Sequence, residues 1–274
     1  MKKDSSPELS LPGFKGRIDP AWNIPSVRAA LADCPGLLQE PETRILLRSR
    51  NTLAVVRIPL ASGQKAPAVL KDFGPRGVNR LKSLVLPSKA AKAWRGAWAL
   101  LERNINTARP IAYLESRKRG FVDRSYFLAE YLDGLREIRF LLRELRGGAL
   151  DGLLRAAAVF LAEAHDRGVV HKDLSDGNIL VKTGGAAAPV FYLLDTNRVR
   201  VKNSVGPCLR MKNLVRLGIP AGRRDYFLDQ YGRGTSIPGR LRWWYKFQKS
   251  VYAGRVNLKK TLRLKRLAEK LGIH

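Results

Sequence analysis

At 274 residues the chain is long enough to bury a full core and to hold one large domain or two lobes. Its 45% apolar and 27% charged residues exclude a disordered chain, and two distant cysteines, Cys34 and Cys208, exclude a disulfide scaffold and fit a reducing cytosol. The outlier is charge: 51 Lys and Arg against 23 Asp and Glu give a formal net charge of +28, which draws in a polyanion such as nucleic acid, an anionic membrane face or a phosphorylated substrate.

The opening MKKDSSPELSLPGFKG lacks the apolar core of a secretion signal. No apolar run approaches the ~18–20 residues that span a bilayer, so the sequence predicts a protein that is soluble or lies on a membrane surface. Residues 1–40 are rich in Pro, Gly and Ser and read as a loosely structured extension. Three β-like runs follow, TRILLRSR (43–50), TLAVVRIPL (52–60) and APAVLKDFG (66–74), parted by turn residues, which predicts an antiparallel meander. SKAAKAWRGAWALLERN (88–104) has helical spacing, with Ser88 as N-cap and Ala91, Trp94, Trp98 and Leu101 on one stripe. RSYFLAEYLDG (124–134) reads as a strand broken at Asp133–Gly134.

Beyond that break a helix is predicted from a cap at Asp151 through Asp166, ending at Gly168, with Leu154, Ala157, Ala158, Leu161 and His165 inward. VVHKDLSDGNILV (169–181) and FYLLDTNRV (191–199) come next as two apolar runs joined by TGGAAAP, a hairpin. The remainder from about 208 reads as helical and basic. No internal repeat is visible. The expected organisation is an extension over 1–40, a small strand-rich lobe over 41–130, a larger helical lobe over 131–239 and a basic helical segment over 240–274.

Taken with this layout, His171, Lys172, Asp173 and, five residues on, Asn178 resemble the catalytic loop of the protein-kinase-like superfamily, H-R-D-x-x-x-x-N. The resemblance implies an α+β, two-lobed protein-kinase-like fold and use of ATP with Mg²⁺. A hydroxyl attacking a γ-phosphate must give its proton to a nearby carboxylate, the role implied for Asp173. The triphosphate must be screened by Mg²⁺ on hard oxygen ligands, implied for Asn178 and for Asp195 at the end of YLLD. Lys71 matches the lysine that contacts the α- and β-phosphates, and Glu102, the one acidic residue between Asp72 and Glu115, is its candidate partner. Glu130–Leu132 would be the hinge that meets the adenine edge. His171 reads as a packing residue. The alternatives stay open: Asp173 and Asp195 as turn carboxylates, Lys71 as a solvated strand-end lysine, Glu102 as a surface residue at a helix end.

Departures from protein kinases narrow the reading. No G-x-G-x-x-G joins the first two strands; RSRNT (48–52) stands there, with Arg48 or Arg50 available to phosphate. Asp195-Thr196-Asn197 replaces D-F-G, Ser175 replaces the usual lysine two residues after the catalytic Asp, and no A-P-E follows. These losses point to small-molecule or sugar acceptors. SKAAKAWRGAWALLERNINTARPIAYLESRKRG, RSYFLAEYL, HKDLSDGNILV, YLLDTNRVRV and LRMKNLVRLGIP together resemble the lipopolysaccharide kinase (Kdo/WaaP) family, in order over about 43–235. That resemblance implies phosphorylation of inner-core heptose or Kdo in a Gram-negative bacterium, by a cytoplasmic enzyme at the inner membrane.

The implied partner, an anionic lipid A–core glycolipid in an anionic leaflet, accounts for the charge. Segment 240–274 carries eleven basic residues against one acid, Glu269. It adds Trp243, Trp244, Tyr245 and Phe247, and an apolar stripe of Leu264, Leu267, Ala268 and Leu271 that fits an interfacial helix or a helix packed on the large lobe. Two other readings stand beside the sugar kinase: a protein or other small-molecule kinase of the same fold, and a non-catalytic kinase-like protein that binds RNA. No aromatic-basic ribonucleoprotein motif is present, and no specific nucleic acid is expected.

Overall fold

The structure is a computed structural model that describes residues 6–49, 51–74, 83–184 and 187–271, and for 187, 259–260 and 262–271 the backbone alone. The chain forms two compact units, Met1–Leu135 with Tyr192–Val199, and Arg136–Phe191 with Arg200–His274.

In the first unit, strands β1 (Glu8–Leu11) and β2 (Phe14–Ile18) lead into helices α1 (Pro25–Ala32) and α2 (Cys34–Leu37). Proline occupies the first turn of both helices, where its missing N–H is not needed. Strands β3 (Arg44–Arg48), β4 (Thr52–Pro59) and β5 (Lys65–Asp72) follow, then helix α3 (Lys89–Leu101) and strands β6 (Pro110–Lys118) and β7 (Phe121–Glu130). The seven strands form one antiparallel sheet in the order β1-β2-β6-β7-β5-β4-β3.

Alternation along the strands divides the core. Leu70, Tyr126 and Leu128 join Val27, Leu31 and Leu37 on the face covered by α1 and α2. Phe73, Phe127 and Ala129 join Ala90, Trp94 and Ala97 of α3 on the other face. Ser88 caps α3 by accepting from the Ala91 N–H at 3.0 Å.

Two sequence expectations change here. Residues 8–37, expected as loosely structured, supply two strands and two helices, and Leu9 and Ile18 lie fully buried. Their Pro and Gly punctuate short elements rather than prevent them. Strand β6 escaped the pattern because it is internal, between β2 and β7, so that Pro110, Ile111 and Ala112 are buried in succession without alternation.

In the second unit, β8 (Arg136–Glu137) pairs with β10 (Ile179–Gly184), which is flanked on its other side by β11 (Ala187–Leu193). Short helix α4 (Ile138–Glu144) precedes α5 (Gly147–Asp166). Helix α5 starts four residues before the expected cap at Asp151, which lies inside it and pairs with Arg223 at 3.0 Å. Its predicted inward face is the buried one. Gly168 follows in the left-handed region (φ 76), and any Cβ there would lie 2.0 Å from the Lys202 carbonyl oxygen. Strand β9 (Val169–His171) pairs with β12 (Val199–Val201), and helices α6 (Pro207–Leu214), α7 (Arg224–Gly232) and α8 (Gly239–Leu271) complete the unit.

Candidate active site

Lys71 lies on β5 opposite Leu53 of β4 and Phe127 of β7, and strand alternation places it on the α3 face. Its Nζ is 2.5 Å from Asp195 Oδ1 and 5.0 Å from the centroid of the Phe73 ring. Both charged side chains are about one-fifth exposed, at 23% and 20%, sheltered enough to strengthen the attraction yet open to a ligand.

Asp195 is held by what flanks it. The Leu193 N–H donates to the Asn106 carbonyl at 2.9 Å, and Thr107 Oγ1 donates to the Leu193 carbonyl at 2.7 Å. Asp195 itself takes the left-handed conformation (φ 52), which a short polar side chain tolerates better than most. The turn Thr196–Arg198 then sits on α3: Thr196 Oγ1 donates to the Ala93 carbonyl at 2.8 Å, and Gly96 provides the gap for the Thr196 backbone. Arg198 Nε stands 3.6 Å from Asp195 Oδ2.

Glu102 is not brought to Lys71. It caps the C-terminus of α3, is 45% exposed and faces Arg103 at 3.7 Å, so among the described residues the carboxylate paired with Lys71 is that of Asp195. Arg48 lines a cavity of about 460 Å³ with Asp72, Arg124 and Tyr126, on the sheet face away from Lys71, and Arg50 lies outside the described residues. Burial raises the Asp72 carboxyl against the lowering influence of Arg124. Glu130 ends β7 with its N–H donated to the Arg109 carbonyl, and Tyr131 N–H reaches the Pro67 carbonyl at 3.4 Å; Leu132 follows outside any strand or helix.

In the second unit the loop after β9 is tied down at each step. Asp173 N–H donates to His171 Nδ1 at 3.2 Å, Ser175 N–H donates to the Asp173 carbonyl at 2.8 Å, and Asn178 Nδ2 donates to that same carbonyl at 2.8 Å and to Ser175 Oγ at 3.2 Å. The Asn178 amide nitrogen is thereby engaged, and its oxygen is the end left for a ligand. His171 is buried, as a packing residue should be.

Beneath the loop lies a network the sequence did not disclose. His165 of α5 faces Tyr231 Oη at 2.7 Å through Nδ1 and Asn213 Oδ1 at 3.0 Å through Nε2, while Asn213 Nδ2 donates to the His171 carbonyl at 2.7 Å. Arg216, inside the segment LRMKNLVRLGIP, places Nη1 2.9 Å from Asp173 Oδ1. Periodicity marks neither Asn213 nor Arg216; both act through contacts distant in sequence.

Among the described residues no three His, Cys, Asp or Glu cluster as a metal cage. Taken singly, the Asn178 amide oxygen and the Asp195 carboxylate are hard oxygen donors of the kind that Mg²⁺ takes together with substrate phosphates and water.

The structure resembles that of WaaP in complex with acyl carrier protein, with a TM-score of 0.54 at 20% identity, over 92% of this chain and 95% of that one, which shows the α+β, kinase-like fold. The serine/threonine-protein kinase Pkn1 of Myxococcus xanthus is 28% identical over 117 residues, 43% of this chain and only 16% of Pkn1. The family model for the lipopolysaccharide kinase (Kdo/WaaP) family matches residues 80–225, a little over half the sequence and inclusive of Asp173, Asn178 and Asp195, and on that match the chain belongs to the lipopolysaccharide kinase (Kdo/WaaP) family.

Proposed function

We propose that the protein transfers the γ-phosphoryl group of ATP to a sugar hydroxyl, heptose or Kdo, of the lipopolysaccharide inner core. The observation that carries this reading is the pairing of Lys71 with Asp195 in a family member whose loop holds Asp173 and Asn178 as described. The acceptor oxygen attacks phosphorus, the bond to the β-phosphate oxygen breaks, and Asp173 receives the acceptor's proton. Lys71 orients the α- and β-phosphates, and the backbone at Glu130–Leu132 receives the adenine. Mg²⁺, when bound by Asn178 Oδ1 and the Asp195 carboxylate, neutralises charge on the phosphate oxygens. Glu102, turned to Arg103, has no part in this scheme.

The charge of +28 supports an anionic glycolipid acceptor and work at the cytoplasmic face of an anionic inner membrane. Trp243 and Phe247 on α8 support the same placement: they are 64% and 45% exposed and stack at 5.3 Å.

Labelled ATP offered with core glycolipid, and separately with a protein extract, tests the acceptor. Label should enter the glycolipid and depend on added Mg²⁺. Label confined to protein would replace this reading with that of a protein kinase, the activity named for Pkn1.

A further inference from the structure

The ion pair at the proposed base has a consequence for acceptor choice. Arg216 Nη1 is 2.9 Å from Asp173 Oδ1, so the guanidinium occupies the carboxylate that an acceptor hydroxyl must reach. The pair is open to solvent, with Arg216 39% and Asp173 30% exposed, and such pairs add little to stability. The arginine is nonetheless positioned. Its guanidinium carbon lies 5.5 Å from the centroid of the Tyr252 ring on α8, and its Nε is buried with no acceptor among the described residues. A planar fork with five donors, one of them engaged, is well suited to a carboxylate or phosphate.

We propose that Arg216 binds an oxyanion carried by the acceptor itself, a phosphate or sugar carboxylate close to the hydroxyl that is phosphorylated. An anionic acceptor takes the guanidinium from Asp173 by exchanging one ion pair for another, and the same exchange frees the carboxylate to accept the hydroxyl proton. A neutral acceptor must break the Arg216–Asp173 pair with nothing in return, so recognition and release of the base are one event. Ser175, which stands where protein kinases carry a lysine, adds no competing cation at that position of the loop. This rests on the phosphotransferase reading and adds to it the charge requirement of the acceptor.

The test uses the full chain and two acceptors: core oligosaccharide with its phosphates and carboxylates intact, and the same material after phosphatase treatment and carboxyl reduction. Arg216→Ala should raise the KM for the charged acceptor about ten- to a hundredfold, the range for loss of a charge-assisted contact. The neutral acceptor should be used at least as well as by the wild type. Arg216→Lys, which keeps the charge but not the fork, should fall between. An equal loss with both acceptors, or a rise confined to the KM for ATP, would assign Arg216 to folding or to the nucleotide and overturn the proposal.

A binding titration separates this failure from failure of the kinase reading, because it needs no turnover. Asp173→Asn releases Arg216 and should bind the charged oligosaccharide at least as tightly as the wild type, whereas Asp173→Asn with Arg216→Ala should lose the preference for charge. Equal binding by the single and double variants would overturn the proposal whether or not phosphate is transferred.

Discussion

His165 shows how a buried residue far from the chemistry shapes the loop that carries it. Its partners set its tautomer: Nε2 faces Asn213 Oδ1 and donates, and Nδ1 accepts from Tyr231, whose hydroxyl burial pushes up to about 12. Burial, against the hydrogen bond to Asn213, pushes the imidazole down from 6.5 to about 4, so the native state holds it neutral. Because the folded value lies below the unfolded one, the contribution to stability is complete above pH 6.5 and is lost as pH falls towards 4. The loss comes to about 3 kcal/mol. Denaturant midpoints measured from pH 7 to pH 4 should decline through this window, and a flat profile would contradict a neutral buried His165. At this scale the sequence put forward Asp173, Asn178, Asp195 and Lys71 as candidates, through motif spacing and their order along the chain. It did not disclose Asn213 or Arg216, because a side chain that reaches the loop from some 40 residues away leaves no periodic trace.

Helix α3 was legible because its apolar residues recur every three or four positions and Ser88 offers an oxygen to its first turn. What the pattern could not reveal is that the helix carries the Asp195 turn on Gly96. A Cβ at Gly96 would lie 2.0 Å from the Thr196 carbonyl oxygen, a backbone atom that cannot rotate away. Gly96→Ala should therefore cost about 1–3 kcal/mol through overpacking, against a gain of about 1 kcal/mol in helix propensity. It should also weaken ATP affinity by shifting Asp195 from Lys71. Gly152→Ala on α5, where a Cβ meets nothing within 4 Å, should be neutral or stabilising. Thermal melting of both variants with nucleotide titration checks this; an unperturbed Gly96→Ala would show that the turn does not depend on the contact. Glu102 marks the opposite limit of element-level reading. As the one acidic residue between Asp72 and Glu115 it was the candidate partner of Lys71, but the helix ends there, and a terminal residue turns to solvent and to Arg103.

For the molecule as a whole, motif order conveyed the α+β kinase-like fold. The N-terminal strands were hidden by their Pro and Gly, and β6 by burial on both faces. Of the aromatics in 243–247, Tyr245 is fully buried, its hydroxyl pushed by burial to about 12, while Trp243 and Phe247 are the exposed pair. The stripe Leu264, Leu267, Ala268 and Leu271 lies outside the described side chains. Among the described residues no helix is long and apolar enough to cross a membrane. The most direct test of the whole account compares the wild type with Asp173→Asn on core glycolipid and ATP, reading product by mass spectrometry and nucleotide binding by titration. The account predicts that the wild type adds one phosphoryl group to the glycolipid, and that the variant binds ATP as before but transfers about 10²–10⁴-fold more slowly, the contribution of a positioned general base. Transfer at the wild-type rate by Asp173→Asn would contradict it.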